Sequence, residues 1–217
     1  MNLDKRMSAI LSEIPTGKNL ADIGADHGYI GITYAQNNLN NIVVGSDISE
    51  KSIQKAKLTA KKLGLNNYFT IVGNGLVPIQ NYDIDVILIS GMGGEEIIKI
   101  INNKKIYPYY ILSPQKNADK VRVYLSEKNL KPIKDYKVKQ GDKFYDIMVC
   151  TAGKYIPSQF ELLYGSGEGV DFAEFAKLTK DYLSKLLDNV TKTADRDLIL
   201  HKIEVLESKN NKVTNES

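Results

Sequence analysis

Leu20-Ala21-Asp22-Ile23-Gly24-Ala25-Asp26-His27-Gly28-Tyr29-Ile30 decides how the rest of the chain is read. An apolar run holds one acidic residue, two glycines follow four positions apart, and Tyr29-Ile30 opens a segment with helical apolar spacing. The pattern is strand, loop, helix. Glycines let the backbone turn sharply and approach a ligand, and the helix points its unpaired N–H groups and positive dipole end at whatever the loop holds. The spacing cannot be written G-x-G-x-x-G, the dinucleotide fingerprint. It fits the D-x-G-x-G-x-G loop of S-adenosylmethionine methyltransferases, with Asp22, Gly24 and Gly28 as loop residues and Asp26 where the middle glycine would be. Asp is among the few non-glycine residues that tolerate left-handed backbone angles. A glycine turn in some other α/β protein is the competing reading at this point.

Working outward, Asn41 to Gly45 reads as the second strand, and Asp47 stands at its end, twenty-five residues past Asp22. In a doubly wound sheet that place lies beside the ribose of a bound nucleoside, so Asp47, with Ile48 next to it, is assigned to the cofactor site. The alternative role, capping the next helix, suits Ser49 better. A third strand, Tyr68 to Val72, runs into Gly73-Asn74-Gly75, where Asn74 either meets an adenine edge or sits in an ordinary Asn-Gly turn. Asp85 to Ile89 is apolar enough to be buried on both faces, and it runs into Ser90-Gly91-Met92-Gly93-Gly94, where missing side chains leave room for a flat substrate. The fifth strand, Tyr109 to Leu112, ends in Ser113-Pro114-Gln115-Lys116-Asn117. A helix from Ala118 to Lys128 follows, then a hairpin from Lys131 to Val138 and Phe144 to Thr151.

The expected fold is α/β, a Rossmann-like class I methyltransferase with a seven-stranded, mostly parallel sheet and a C-terminal helical, coiled-coil-like appendage. Residues 1–157 form the first part. A helix from Leu3 to Glu13 lies ahead of the first strand, and Gly165, Gly167 and Gly169 form a linker within 158–217. Beyond them, apolar residues from Phe172 to Val190 and from Leu198 to Leu206 predict two antiparallel helices parted near Thr193-Ala194, with a polar tail from Lys209 that frays.

With 42% hydrophobic residues and no apolar run near the roughly 20 needed to cross a bilayer, neither a membrane span nor a signal segment is expected, which points to the cytoplasm. One cysteine, Cys150, sits in a strand and reads as buried and inert, and two distant histidines give no metal-ligand cluster. His201 reads as a surface residue. The net charge is only +3, yet Lys99 to Lys143 holds twelve basic residues against four acidic ones, which suits a polyanionic partner unless it only decorates a solvated face.

Together, Ala21 to Tyr29, Gly73-Asn74-Gly75-Leu76, Gly91-Met92-Gly93-Gly94 and Lys143-x-Tyr145-Asp146 resemble the bacterial TrmK family of tRNA (adenine-22, N1) methyltransferases. The resemblance covers Leu3 to Thr151, with Asn74 and Asp146 standing where that family usually has Asp and Glu. It implies S-adenosyl-L-methionine as cofactor, tRNA as partner, no metal, and a monomer or weak homodimer. Adenine N1 carries an in-plane lone pair and attacks the sulfonium methyl directly, so the protein must align the atoms and exclude water. Tyr29 is then the candidate for stacking the displaced base, or else a core tyrosine; Met92 is an apolar wall, Asp26 faces the product's charge or the cofactor's amino group, and His27 orients the loop or touches substrate. Lys116, Lys120, Arg122 and Lys143 are the candidate RNA contacts.

Overall fold

The computed structural model describes residues 2–103 and 105–213, so Lys104 of the basic block and the end of the tail, 214–217, lie outside the described residues. Parallel strands β1 (Leu20–Ile23), β2 (Val43–Asp47), β3 (Tyr68–Val72), β4 (Val86–Ser90) and β5 (Tyr109–Ser113) are joined by helices α2 (Tyr29–Asn37), α3 (Glu50–Lys62) and α4 (Gly94–Ile101). Helix α1 (Lys5–Ser12) precedes them, and α5 (Ala118–Glu127) leads to a long hairpin, β6 (Leu130–Gln140) and β7 (Lys143–Ala152). The sheet has seven strands in the order β3-β2-β1-β4-β5-β7-β6, with β7 antiparallel to both neighbours. The expected seven-stranded, mostly parallel sheet is thus observed.

Alternation along the strands divides the core in two. Ala21, Ile23, Ile87, Ile89 and Leu112 pack with Ile97, Val121 and Leu125 on one side, while Leu20, Val86, Leu88 and Ile111 pack with Ile10, Ile32 and Ala56 on the other. Because β4 is covered on both faces, its side chains are all apolar until Ser90. Cys150 is fully buried, and apolar surroundings push its thiol up, as an inert core cysteine requires.

The strand order reverses between β1 and β4, and open α/β sheets bind ligands outside the carboxyl ends of the strands at that point. Gly24 and Ser90 stand there.

Beyond the sheet, α6 (Gln159–Tyr164) carries a capping box between Ser158 and Glu161, a helix that the periodicity reading did not separate. Helices α7 (Phe172–Asn189) and α8 (Thr193–Val213) are antiparallel: Lys180 pairs with Glu207 at 2.5 Å, and Arg196 caps the carbonyls of Leu187 and Val190 at the turn. Lys209 is not in a frayed tail, since α8 continues past it and its Nζ donates to the Ser166 carbonyl.

The glycine-rich segment before α7 is docked on β6 rather than free. Ser166 donates through N–H and Oγ to the Asp135 carbonyl, Glu168 bridges Tyr136, and Asp171 accepts from the Lys139 N–H at 2.8 Å. Beneath it, Arg122 is fully buried and donates to both oxygens of Asp135, at 2.7 and 2.9 Å, and to Asp146, which also accepts from buried Lys137 at 2.6 Å. The assignment of Arg122 to RNA is therefore corrected: its side chain faces the α5–β6–β7 core, where a phosphate cannot reach it. Burial works against the Arg122 charge, but Asp146 and Asp135 outweigh it and raise its pKa.

Candidate functional site

A cavity of about 440 Å³ opens at the β1/β4 reversal, lined by Asp22, Gly24, Ala25, Asp26, His27, Tyr29, Asp47, Gly91 and Met92 among others. Its shape begins with backbone conformations. Gly24 has φ 71°, a left-handed conformation that favours glycine, and its missing Cβ lets the Met92 methyl of the β4 loop lie against the β1 loop, 2.0 Å from where a Cβ would stand. Asp26 sits at φ 47°, the left-handed conformation expected of it as the stand-in for a loop glycine. Gly28, at φ 72°, precedes α2.

Asp47 organises the loop. One carboxylate oxygen accepts from the Ser49 N–H at 2.8 Å and the other from the Asp26 N–H at 3.1 Å, while Ser49 itself caps α3. Each oxygen keeps a second lone pair for a ligand hydroxyl. Asp26 accepts from Ser52 Oγ at 2.9 Å and lies 2.7 Å from His27 Nδ1. Burial works to raise its pKa, but those partners together outweigh it and hold the carboxyl below its ordinary value. His27 also stands 3.2 Å from Lys55 Nζ, and its ring stacks on Tyr29 with centroids 5.4 Å apart and planes 12° apart. Tyr29 is 45% exposed, so it is not the core tyrosine that the sequence left open.

Asp22 lies almost out of solvent in the cavity floor, accepting from the Gly31 N–H at 3.3 Å, and burial pushes its carboxyl up to about 7. With Asp4, Asp26 and Asp47 it makes the cavity rich in carboxylates although the chain carries net charge +3. Such walls suit a ligand bearing positive charge.

Two groups of assigned residues do not line this cavity. Ile48 is 75% exposed, and the Gly73-Asn74-Gly75 turn follows β3, where Gly73 donates to the Asp47 carbonyl at 2.9 Å and Gly75 faces Ile100. Conversely, Asp4, Arg6, Met7 and Ile10 of the α1 segment form a wall that the sequence reading had placed outside the site, and Ser90 and Gln115 complete it. The one signal for them was an arginine inside an otherwise ordinary amphipathic turn.

Of the candidate RNA contacts, Lys116 and Lys143 are exposed, and Lys120 is exposed but paired with Glu95. The basic block is also less segregated in space than in sequence, because Lys134 and Lys139 meet Glu13 and Glu174 from other segments.

The chain matches the Methyltransferase domain family over residues 3–148. It belongs to that family. The chain is 30% identical over 158 residues to the tRNA (adenine(22)-N(1))-methyltransferase of Bacillus subtilis, a match covering 70% of this chain and 66% of that relative's length. A solved protein of the NADB-Rossmann superfamily from Streptococcus agalactiae superposes with TM-score 0.88 at 25% identity, over 96% of this chain and 97% of that one. The TrmK of M. capricolum, solved with S-adenosyl-homocysteine, shares the fold with TM-score 0.86 at 24% identity, covering 95% and 97%. The resemblance to TrmK read from the motifs is borne out by these neighbours. Both fold matches span at least 95% of this chain.

Proposed function

We propose that this protein methylates N1 of adenine 22 in tRNA, using S-adenosyl-L-methionine. The observation that carries the reading is the carboxylate-rich cavity at the sheet's reversal point, bounded by the glycine loop and Met92. The cofactor brings a cationic sulfonium and its transferable methyl. Asp47, with lone pairs to spare, accepts from the ribose hydroxyls, and the bare Gly24 lets the Met92 side chain close over the loop that borders the methionine chain. Asp22 at the floor supplies an acceptor whose protonation changes near pH 7.

The acceptor needs no covalent catalysis, so the protein's work is alignment, exclusion of water and accommodation of the charge that adenine gains. Met92 forms the apolar wall at the reacting carbon. Tyr29, backed by the parallel His27 ring, offers its exposed face to the displaced base. His27 is a brace in this arrangement, held by Asp26, and no proton transfer is assigned to it. Asp26, already engaged by Ser52 and His27, keeps the loop in its left-handed turn and places negative charge beside the cationic product. Lys116 and Lys143 are exposed cations for the tRNA backbone.

Incubation with labelled cofactor and bulk tRNA, followed by digestion and mass spectrometry, is expected to yield 1-methyladenosine at position 22. Label at another nucleotide, or none, overturns the assignment.

A further inference from the structure

The residue that the function leaves unused is Arg6, on the α1 wall of the cavity. Its guanidinium is clamped to the end of β5, where Nε donates to Ser113 Oγ at 3.1 Å and Nη2 donates to the Ser113 carbonyl at 2.9 Å. Its central carbon lies over the Tyr145 ring, 4.5 Å from the centroid, and its own backbone N–H donates to Gln140 Oε1 at 2.8 Å. Three elements therefore fix one half-buried cation: α1, the end of β5 and the β6–β7 hairpin. Among the described residues no carboxylate forms an ion pair with it and Nη1 has no protein acceptor, so part of the rigid fork is left for an anion.

The sheet order says which anion. The carboxyl ends of β2, β1, β4 and β5 follow one another, carrying Asp47, Gly24, Ser90 and Ser113. Neighbouring strands lie about 4.8 Å apart, so Ser113 stands about 14 Å from the ribose end. The methyl donor's positive charge belongs between them, near Met92, and a guanidinium would repel it. Arg6 is on the far side, where the acceptor must enter. A base reacting at its pairing edge has to be drawn out of its stack, and the handle that travels with it is its phosphate.

Resting on the proposed function, we infer that Arg6 is a positioning residue that grips a backbone phosphate of the displaced nucleotide. The juxtaposition that carries this is a guanidinium held by Ser113 and set over the Tyr145 ring at the acceptor end of the cavity.

The test compares the full chain with R6Q, R6K and S113A in three measurements: calorimetric titration with S-adenosyl-homocysteine, tRNA affinity against salt concentration, and steady-state methylation. R6Q should keep cofactor affinity within about twofold, lose about tenfold or more in kcat/KM for tRNA, and show a salt slope shallower by about 1, the signature of one lost phosphate contact. R6K should recover the slope without the rate, because an ammonium cannot hold the strand end and a phosphate with one fork. S113A should lower kcat at an unchanged slope. An unchanged slope in R6Q overturns the inference, as does a tenfold loss of cofactor affinity, which would give Arg6 to the cofactor's carboxylate. Should R6Q fail to fold, wild-type kcat/KM in R6K overturns it. A wild-type chain that neither binds nor methylates tRNA ends the proposed function and the inference together, whereas full tRNA activity with an inert Arg6 ends the inference alone.

Discussion

The two ends of this protein treat charge in opposite ways. At the cavity, Asp47 accepts from the Asp26 and Ser49 N–H groups and Asp26 from Ser52, yet both keep lone pairs facing an opening, and the backbone around Asp26 is held in left-handed turns. At the junction with the C-terminal helices, Arg122, Lys137, Asp135 and Asp146 satisfy one another out of solvent, and Gly165 and Ser166 close over them. One cluster is unfinished without a ligand. The other is finished without one. Residue types are shared between them, so charge alone does not mark a functional site; what marks it is bonding capacity left over at an accessible place.

This contrast can be broken most directly at the junction. Arg122→Met leaves Asp135 in the core without its partner and Asp146 with Lys137 alone, and it should destabilise the fold by about 3–5 kcal/mol, lowering Tm by about 6–20 °C. Thermal denaturation with calorimetric control checks this, and a neutral result would mean that the cluster is not the structural tie described.

At the cavity, Gly24→Val meets both the Met92 methyl and an unfavourable backbone angle. Cofactor affinity should drop about 100-fold, near 3 kcal/mol, by isothermal titration, while exposed tRNA contacts stay in place. Retained affinity would detach the cavity from the cofactor.

Asp22 sharpens the comparison through pH. Its folded carboxyl titrates near 7 against an ordinary 3.8, so between those values the folded chain binds a proton that the unfolded chain has released. Its contribution to stability is therefore full below about 3.8, declines as pH rises, and levels off above 7. Urea midpoints compared between pH 5 and 8 should show a fall on the order of 2 kcal/mol that Asp22→Asn removes. A curve identical in the variant assigns the slope to other groups.

The smallest effect is expected on the surface. Changing Lys116 and Lys143 together to Glu should weaken tRNA binding by roughly three- to tenfold and flatten its salt dependence, with no change in Tm beyond a degree or so. Filter binding across a salt series measures it, and unaltered affinity removes both lysines from the interface.

Periodicity and glycine spacing sufficed for the sheet. The all-apolar β4 and the loop from Asp22 to Gly28 announce their positions because burial on two faces and a left-handed turn each restrict which residues are possible. Ser49 could be read as the α3 cap for the same local reason. Arg122 could not be read correctly, because a basic residue on a helix looks the same whether its face meets solvent or two carboxylates brought in by β6 and β7. Arg6 was missed for the complementary reason: its partner Ser113 is more than a hundred residues away, and nothing local distinguishes it from any helix arginine.

By itself, then, the sequence determined the order of elements, the strand ends that carry the loop and the family the chain resembles, since these follow from short-range sterics and burial. Tertiary structure alone decided which charges are spent inside the protein and which remain for a ligand, because pairing depends on distances between segments that no local pattern encodes.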